Sequence, residues 1–233
     1  MIQRLEWDSD FWGIETGRFD LKNDFFIPDN LNDFAFVYIF SDRLLNQEEL
    51  NQFNGKNHLA DEKRVYHKNL NNISVLPNPN IISFYPARPI PERLYDLAIQ
   101  SGHYSRFSLD PQLAKDSFKQ LYRTWLERSV DRVIAEEVFV YETENMIRGF
   151  ITLGIKNNKP DIGLVAVDAD RRSMGIGASL LEIAEFWAYN HAKKNEIQVI
   201  TQGANQGACN FYERNGYSLN AVTYIYHWWN KRS

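Results

Sequence analysis

The chain has 233 residues, 44% of them hydrophobic and 24% charged, and a formal net charge of -4 at pH 7. This composition is typical of a globular protein and argues against a disordered or collagen-like chain. The single cysteine, Cys209, excludes an intrachain disulfide and a cysteine-rich zinc site, and the acidic balance opposes non-specific nucleic-acid binding. No window approaches the roughly 18 consecutive apolar residues of a membrane helix. We therefore expect a cytoplasmic protein with no membrane or nucleic-acid partner.

The first 80 residues predict a small α/β domain. Residues 34–40 are apolar throughout, which favours a strand covered on both faces. Ser41, with Glu48 and Glu49 downstream, predicts a capped helical turn. Because the length exceeds one ordinary domain of about 100–150 residues, we place a boundary near residue 80, dividing the chain into domains 1–80 and 81–233. The strands predicted here are 16–21, 34–40 and 65–70.

The second part predicts alternating helices and strands. Pro91 opens a helix with an apolar face that ends near Gly102, and an aromatic stripe marks the next helix. A strand–helix–strand unit over 161–201 predicts a right-handed parallel crossover. The result is a mixed sheet with helices on both faces. The predicted helices are 91–100, 111–131, 175–194 and 208–215, and the predicted strands are 137–142, 148–155, 161–167, 197–201 and 217–229.

The turn between the strand at 161–167 and the helix that follows indicates an anion site. It carries Arg171 and Arg172, then Gly175 and Gly177, and no acidic residue enters the helix before Glu182. Free first-turn amides with adjacent arginines suit a phosphate or pyrophosphate. The alternative is a tight turn with solvated arginines. A dinucleotide fingerprint is weaker because leucine follows where a small third residue is needed, and no Gly-Lys-Ser/Thr of a P-loop is present.

Two ordered motifs carry a resemblance to a known family. The run Arg172-Ser-Met-Gly-Ile-Gly-Ala178 is similar to the R/Q-x-x-G-x-G/A signature of GNAT-type acetyltransferases, which hold the acetyl-CoA pyrophosphate with it. The run 205–217 resembles the family's N-x-x-A-x-x-x-Y-x-x-x-G-F/Y element. The resemblance covers roughly 162–217. It implies a GNAT fold, an α/β mixed central sheet with flanking helices preceded by a smaller α/β domain, and an N-acetyltransferase that uses acetyl-CoA.

Within that family the chain most resembles the dTDP-fucosamine N-acetyltransferases. This closer resemblance rests on three shorter matches, which are residues 5–13, residues 105–107, and the helix with Tyr122 and Trp125. The resemblance implies acetylation of a nucleotide-linked amino-dideoxy sugar, a dTDP-4-amino-4,6-dideoxyhexose, for surface polysaccharide synthesis. Two alternatives stay open: a GNAT enzyme acting on another small amine or a protein N-terminus, and a non-catalytic acyl-CoA-binding module.

The resemblance also assigns site residues. It makes Tyr212 the general acid for the CoA sulfur, and a phenol with a pKa near 10 is protonated at pH 7. It places an oxyanion donor among the backbone amides of 164–167. Asn205 and Asn210 are expected to bond the cofactor, with helix capping as the other interpretation of Asn205. No general base is named. The cofactor-binding residues expected are Val165, Val167, Arg172, Met174, Gly175, Ile176, Gly177, Ala178, Asn205 and Asn210.

Four residues are predicted to contact the acceptor substrate: Arg106, Phe107, Tyr122 and Trp12. Arg106 is suited to a phosphate, with an exposed loop arginine as the alternative. Trp12 can stack on a base or anchor the core. The five histidines show no ligand spacing, so no metal is expected. A homodimer is expected from family habit alone.

Overall fold

The computed structural model describes residues 1–22, 25–71, 73, 78–87 and 89–231. The helices are α1 Glu6–Trp12, α2 Gln47–Gln52, α3 Glu92–Ser101, α4 Arg106–Leu109, α5 Ser117–Val130, α6 Ile176–Asn190 and α7 Gln206–Arg214. The strands are β1 Gln3–Arg4, β2 Thr16–Leu21, β3 Phe36–Ser41, β4 Lys56–Asn69, β5 Ile81–Ser83, β6 Glu137–Thr143, β7 Met146–Lys156, β8 Lys159–Val167, β9 Glu196–Gln202 and β10 Ser218–Trp229.

The chain forms two compact units whose division differs from the predicted boundary near residue 80. Unit 1 comprises Met1–Arg64, Gln202–Ala204 and Ala221–Ser233, and unit 2 comprises Val65–Thr201 and Asn205–Asn220. The predicted N-terminal domain did not include the end of β10, which belongs to unit 1. Pairing between strands that are distant in the sequence leaves no local pattern from which it could be predicted.

Unit 1 is a small mixed sheet with its own apolar core. Its strands lie in the order β1, β2, β3, β10, β4, with β2 parallel to β3 and β10 antiparallel to β3. The predicted two-sided burial of the central strand is confirmed, since Phe36, Val37 and Ile39 are fully buried. The helical turn of this unit is capped by Asn46, which exchanges hydrogen bonds with Glu49 in a capping box.

Unit 2 has three layers. Its strands follow the order β4, β9, β8, β7, β6, β5, with β8 parallel to β9 and antiparallel pairing from β8 to β5. Alternation along β7 sends Ile151 and Leu153 toward α6 and α7, and Phe150 toward α3 and α5. The predicted α/β class, with a mixed central sheet and flanking helices, is confirmed.

Several predicted bounds are wrong, for local reasons. The helix predicted from residue 111 begins at Ser117, because the Asp110 carboxylate accepts the Gln112 amide at 2.8 Å and forms a turn. Ser41 is not the predicted cap: it ends β3 and its hydroxyl bonds the Arg43 backbone. The elements not predicted are α1, α4, β1 and β5. Within the described ranges, no helix has the length and apolar character needed to traverse a bilayer.

Candidate functional site

The strands β8 and β9 diverge in unit 2. Their parallel pairing is confined to Asp161 with Gln198 and Ile162 with Val199, although β8 continues to Val167. Among the described residues, β9 therefore does not pair with β8 beyond Ile162. The backbone edge of 163–167 opens there.

Two amides of β8 point to this open edge. The Asp168 N–H donates to the Arg148 carbonyl at 2.7 Å, which makes these residues a hydrogen-bonded pair of the antiparallel ladder. Because such pairs alternate, Ala166 also bonds toward β7, and Val165 and Val167 point away from it. The Val167 carbonyl accepts the Gln100 side chain at 2.8 Å. The N–H groups of Val165 and Val167 thus face the opening.

The turn after β8 is fixed by a buried carboxylate. Asp168 is 6% exposed, and its oxygen lies 2.5 Å from Arg93 and 3.4 Å from Arg148. The hydrogen bond from Arg93 lowers the pKa of Asp168, against an opposing effect of burial. An ionised carboxylate held by two guanidinium groups is a poor general base, so Asp168 is a structural residue of this turn.

The N-terminus of α6 has the features of the predicted anion site. Gly175 precedes the helix with φ +84°, and the first turn contains no acidic residue. The side chain of Arg171 lies 3.6 Å from Glu144, whereas Arg172 and Met174 are exposed. The first-turn amides of a 15-residue helix attract an anion, and the exposed Arg172 adds positive charge.

The two glycines of this loop have different surroundings. A Cβ on Gly175 would meet nothing within 4 Å, so a ligand can approach its backbone. A Cβ on Gly177 would lie 3.0 Å from Phe211, which fills that space from α7. Ile176 is buried in the core, and Ala178 is half-buried.

Asn205 is the cap of α7. Its side chain accepts the Ala208 N–H at 3.1 Å, so the capping interpretation is confirmed. Asn210, one turn along, is exposed. Cys209 between them is buried, 1% exposed, and packs in the core.

Tyr212 is enclosed by aromatic rings. It is 4% exposed, with ring centroids 6.0 Å from Tyr66 and 5.9 Å from Tyr217. Burial, with a smaller contribution from Cys209, raises the pKa of Tyr212 above its ordinary value. The phenol therefore stays protonated at neutral pH, as a proton donor requires.

A family model described as Acetyltransferase (GNAT) domain matches residues 135–219. These residues form a GNAT acetyltransferase domain. The match confirms the predicted enzyme class, an acetyl-CoA-dependent N-acetyltransferase with acetyl-CoA as co-substrate. No curated protein sequence matches the chain significantly.

Solved structures support the GNAT fold. A functionally unknown conserved protein from Staphylococcus epidermidis is 11% identical, with 85% of this chain and 74% of that chain covered and a TM-score of 0.56. A GCN5-related N-acetyltransferase from Sphaerobacter thermophilus is 19% identical, with 83% and 60% covered and a TM-score of 0.50. A tandem GNAT protein from the clavulanic acid biosynthesis pathway is 9% identical, with 84% and 64% covered and a TM-score of 0.52. At these identities the likeness shows the fold.

The residues predicted for the acceptor lie on different parts of the chain. Phe107 and Tyr122 are buried, 7% and 6% exposed, and both pack on Trp125. Arg106 starts α4 with its guanidinium 4.5 Å from the Phe107 ring centroid. Trp12 belongs to unit 1, where its indole donates to Tyr38 at 2.8 Å.

Sequence reasoning missed the residues that support the loop of the GNAT domain. Arg93, Gln100 and Arg148 come from α3 and β7, and each contacts β8 or the turn after it. No motif signals them, because their partners lie 20 to 75 positions away by residue number (168 − 148 and 168 − 93).

Proposed function

We propose that the GNAT domain transfers an acetyl group from acetyl-CoA to the amine of a nucleotide-linked amino-dideoxy sugar, a dTDP-4-amino-4,6-dideoxyhexose. Acetyl transfer is supported chiefly by one observation: the amide N–H groups of Val165 and Val167 face the opening beside β8. The sugar and its use in surface polysaccharide are supported by the resemblance of 5–13, 105–107 and the Tyr122 helix.

The proposed contacts with acetyl-CoA extend from its pyrophosphate to its pantetheine arm. The pyrophosphate lies at the first turn of α6, beside Arg172, with Met174 and the backbone of 175–178 around it. The pantetheine arm runs along the open edge of β8 and bonds Val165 or Val167. Asn210 is exposed for a further contact, whereas the side-chain oxygen of Asn205 already serves the helix cap.

The reaction is a direct attack. The neutral amine forms a C–N bond to the thioester carbonyl, and the amides of Val165 and Val167 stabilise negative charge on its oxygen. The C–S bond then breaks, and Tyr212 gives its proton to the departing sulfur. The proton lost by the amine returns through water to Tyr212, so no dedicated base is required.

Arg106 is proposed to hold a phosphate of the acceptor, since it is partly exposed and its guanidinium is suited to bidentate contact. A second candidate, transfer to another small amine or a protein N-terminus, is favoured by one observation: Phe107 and Tyr122 are buried against Trp125. Two of the four proposed acceptor residues therefore support the fold rather than present a binding surface. The homodimer and the cytoplasmic location stay predictions.

The test is a panel of amine acceptors incubated with acetyl-CoA, with release of free CoA as the measurement. We expect turnover with a dTDP-4-amino-4,6-dideoxyhexose and a higher Tm in dTDP. The control variant Arg106→Ala should lose the dTDP shift and keep the Tm shift caused by CoA. Turnover with polyamines or peptides alone, with no effect of dTDP, would select the second candidate.

A further inference from the structure

The antiparallel ladder between β7 and β8 contains a β-bulge at Thr152. This one residue of β7 faces two residues of β8, Gly163 and Leu164. A bulge of this kind inserts an extra residue into one strand and shifts the alternation of everything beyond it. The flanking pairs are Leu153 with Ile162 before the bulge and Ile151 with Val165 after it.

The hydroxyl group of Thr152 completes the bulge. The Leu164 N–H donates to Thr152 Oγ1 at 2.8 Å, in a position where a ladder residue would use a backbone carbonyl. Thr152 is 2% exposed, so the accepting hydroxyl group is itself shielded from water. Gly163 supplies the space, because a Cβ there would lie 2.7 Å from Oγ1.

The bulge decides which amides of β8 face the opening. Before it, the Leu153 carbonyl accepts the Glu136 N–H at 2.7 Å, so Leu153 bonds away from β8 and its partner Ile162 bonds toward β9. If the N–H groups of β8 alternated regularly from Ile162 onward, those of Leu164 and Ala166 would point to the edge that faces β9. Because the bulge adds one residue to β8, the N–H groups of Val165 and Val167 point to that edge instead.

We propose that Thr152 is a positioning residue for the reaction: its hydroxyl holds the bulge and thereby aims the amides of Val165 and Val167 at the thioester carbonyl. This inference rests on the proposed function of those amides. Thr152 does not touch the substrate, and its effect passes through Leu164 to the strand beyond. Valine at this position is close to threonine in shape but lacks the hydroxyl group, so the Leu164 N–H loses this acceptor.

The experiment uses the full chain and [1-13C]acetyl-CoA, and it needs no acceptor. Isotope-edited infrared difference spectroscopy reports the carbonyl stretch, which moves to lower frequency when N–H groups polarise the bond. We expect that shift in the wild type and in Thr152→Ser, and its loss in Thr152→Val. The affinity for acetyl-CoA relative to CoA should fall roughly 2- to 10-fold in Thr152→Val, the worth of one hydrogen bond, with CoA affinity unchanged.

A matched control removes another buried threonine hydroxyl. Thr16 in unit 1 is fully buried and its hydroxyl donates to the Ile14 carbonyl at 3.0 Å. Thr16→Val should keep the carbonyl shift even if the substitution lowers the Tm of the protein. Loss of the shift in Thr16→Val would attribute the effect to lost stability and overturn the inference.

Other outcomes separate this inference from the proposed function. A wild type that binds neither CoA nor acetyl-CoA contradicts the proposed function itself. A wild type that binds acetyl-CoA, with a carbonyl shift that persists in Thr152→Val, contradicts only the role of Thr152. Loss of the shift in Thr152→Ser also contradicts it, because serine retains the acceptor.

A second variant covers the case in which Thr152→Val does not fold. Gly163→Ala leaves the hydroxyl in place but puts a methyl group 2.7 Å from Oγ1, forcing the side chain to rotate away from Leu164. We expect a folded protein, by circular dichroism, that has lost the carbonyl shift. A retained shift in Gly163→Ala overturns the inference.

Discussion

The ring of Phe211 occupies the space that a side chain on Gly177 would need. A Cβ on Gly177 would lie 3.0 Å from Phe211 Cζ, so the glycine allows the first turn of α6 to approach α7. The Phe211 ring centroid in turn lies 5.4 Å from that of Tyr212. The glycine of the phosphate motif is therefore linked by packing to the residue proposed as the acid.

Gly177→Ala is expected to destabilise the protein by about 1–2 kcal/mol, because the methyl group displaces Phe211. Urea unfolding measures the loss. Phe211→Leu on the same chain shortens the obstructing side chain and should recover part of it, giving a clear interaction free energy in a double-mutant cycle.

Gly175→Ala is the matched control for that cycle. Nothing lies within 4 Å of a Cβ there, but φ is +84°, so the cost of about 1 kcal/mol is conformational. Phe211→Leu should not relieve it. Equal relief in both glycine variants would argue against the contact as the cause.

The two adjacent arginines of the loop are expected to differ in their effect on CoA binding. Arg171 lies 3.6 Å from Glu144, whereas Arg172 is exposed beside the amides of α6. We expect Arg172→Ala to weaken CoA binding by roughly 10- to 100-fold, the worth of a hydrogen bond between charged groups, and Arg171→Ala to weaken it less. Isothermal titration at low and high salt measures both.

Acetyl-pantetheine, which lacks the pyrophosphate, provides the control ligand for these arginines. Its affinity should be the same in the wild type, Arg171→Ala and Arg172→Ala. A loss with acetyl-pantetheine in Arg172→Ala would mean that the substitution disturbs the loop rather than removing a phosphate contact.

Local sequence signals predicted the parts of the site that lie on one segment. The run 162–177 indicated a strand, a turn and a helix start, and the structure has β8, Asp168–Gly175 and α6 in that order. The β-bulge at Thr152 and the ion pairs of Asp168 were not predicted. Both depend on residues of β7 and α3, and a side-chain hydroxyl inserted into a ladder has no sequence pattern of its own.

The division into compact units also depends on pairing between segments that are distant in the sequence. The strand β10 begins in unit 2 and ends in unit 1, where Tyr224–Trp229 pair with β3 nearly 190 residues earlier (224 − 41 = 183; 229 − 36 = 193). Composition cannot reveal a pairing of this sequence separation. The apolar alternation that identified the strand says nothing about its neighbour.

Asp168→Asn is expected to cost about 3 kcal/mol at pH 7, because Arg148 is left buried with half of its partners gone. The pKa of Asp168 is lowered in the folded state, chiefly by Arg93. Its stabilising effect is therefore complete above the unfolded pKa of about 4, and it fades as the pH falls through the folded value. Urea unfolding from pH 7 to pH 3.5 should show the wild type and variant converging only at the acid end.

Asp170→Asn serves as the control for that comparison, since Asp170 is exposed in the same turn. Its unfolding free energy should track the wild type across the whole range. Convergence already between pH 7 and pH 5 would assign the effect to a group whose unfolded pKa lies in that range, such as a histidine, and not to Asp168.

Tyr212→Phe is expected to lower kcat by about 10²- to 10⁴-fold, the usual contribution of a positioned general acid, while acetyl-CoA binding stays normal. Because burial raises the pKa of Tyr212, the ratio of wild-type to variant kcat should be constant from pH 6 to pH 9. Thiol release at saturating substrates, together with isothermal titration, measures both quantities.

Tyr66→Phe is the control, because it removes a neighbouring phenol that donates to Glu213 at 2.8 Å, and it should change kcat only a few-fold. If both variants lost activity equally, the aromatic cluster rather than the Tyr212 proton would be responsible; if Tyr212→Phe kept its kcat, the thiolate would take its proton from another donor.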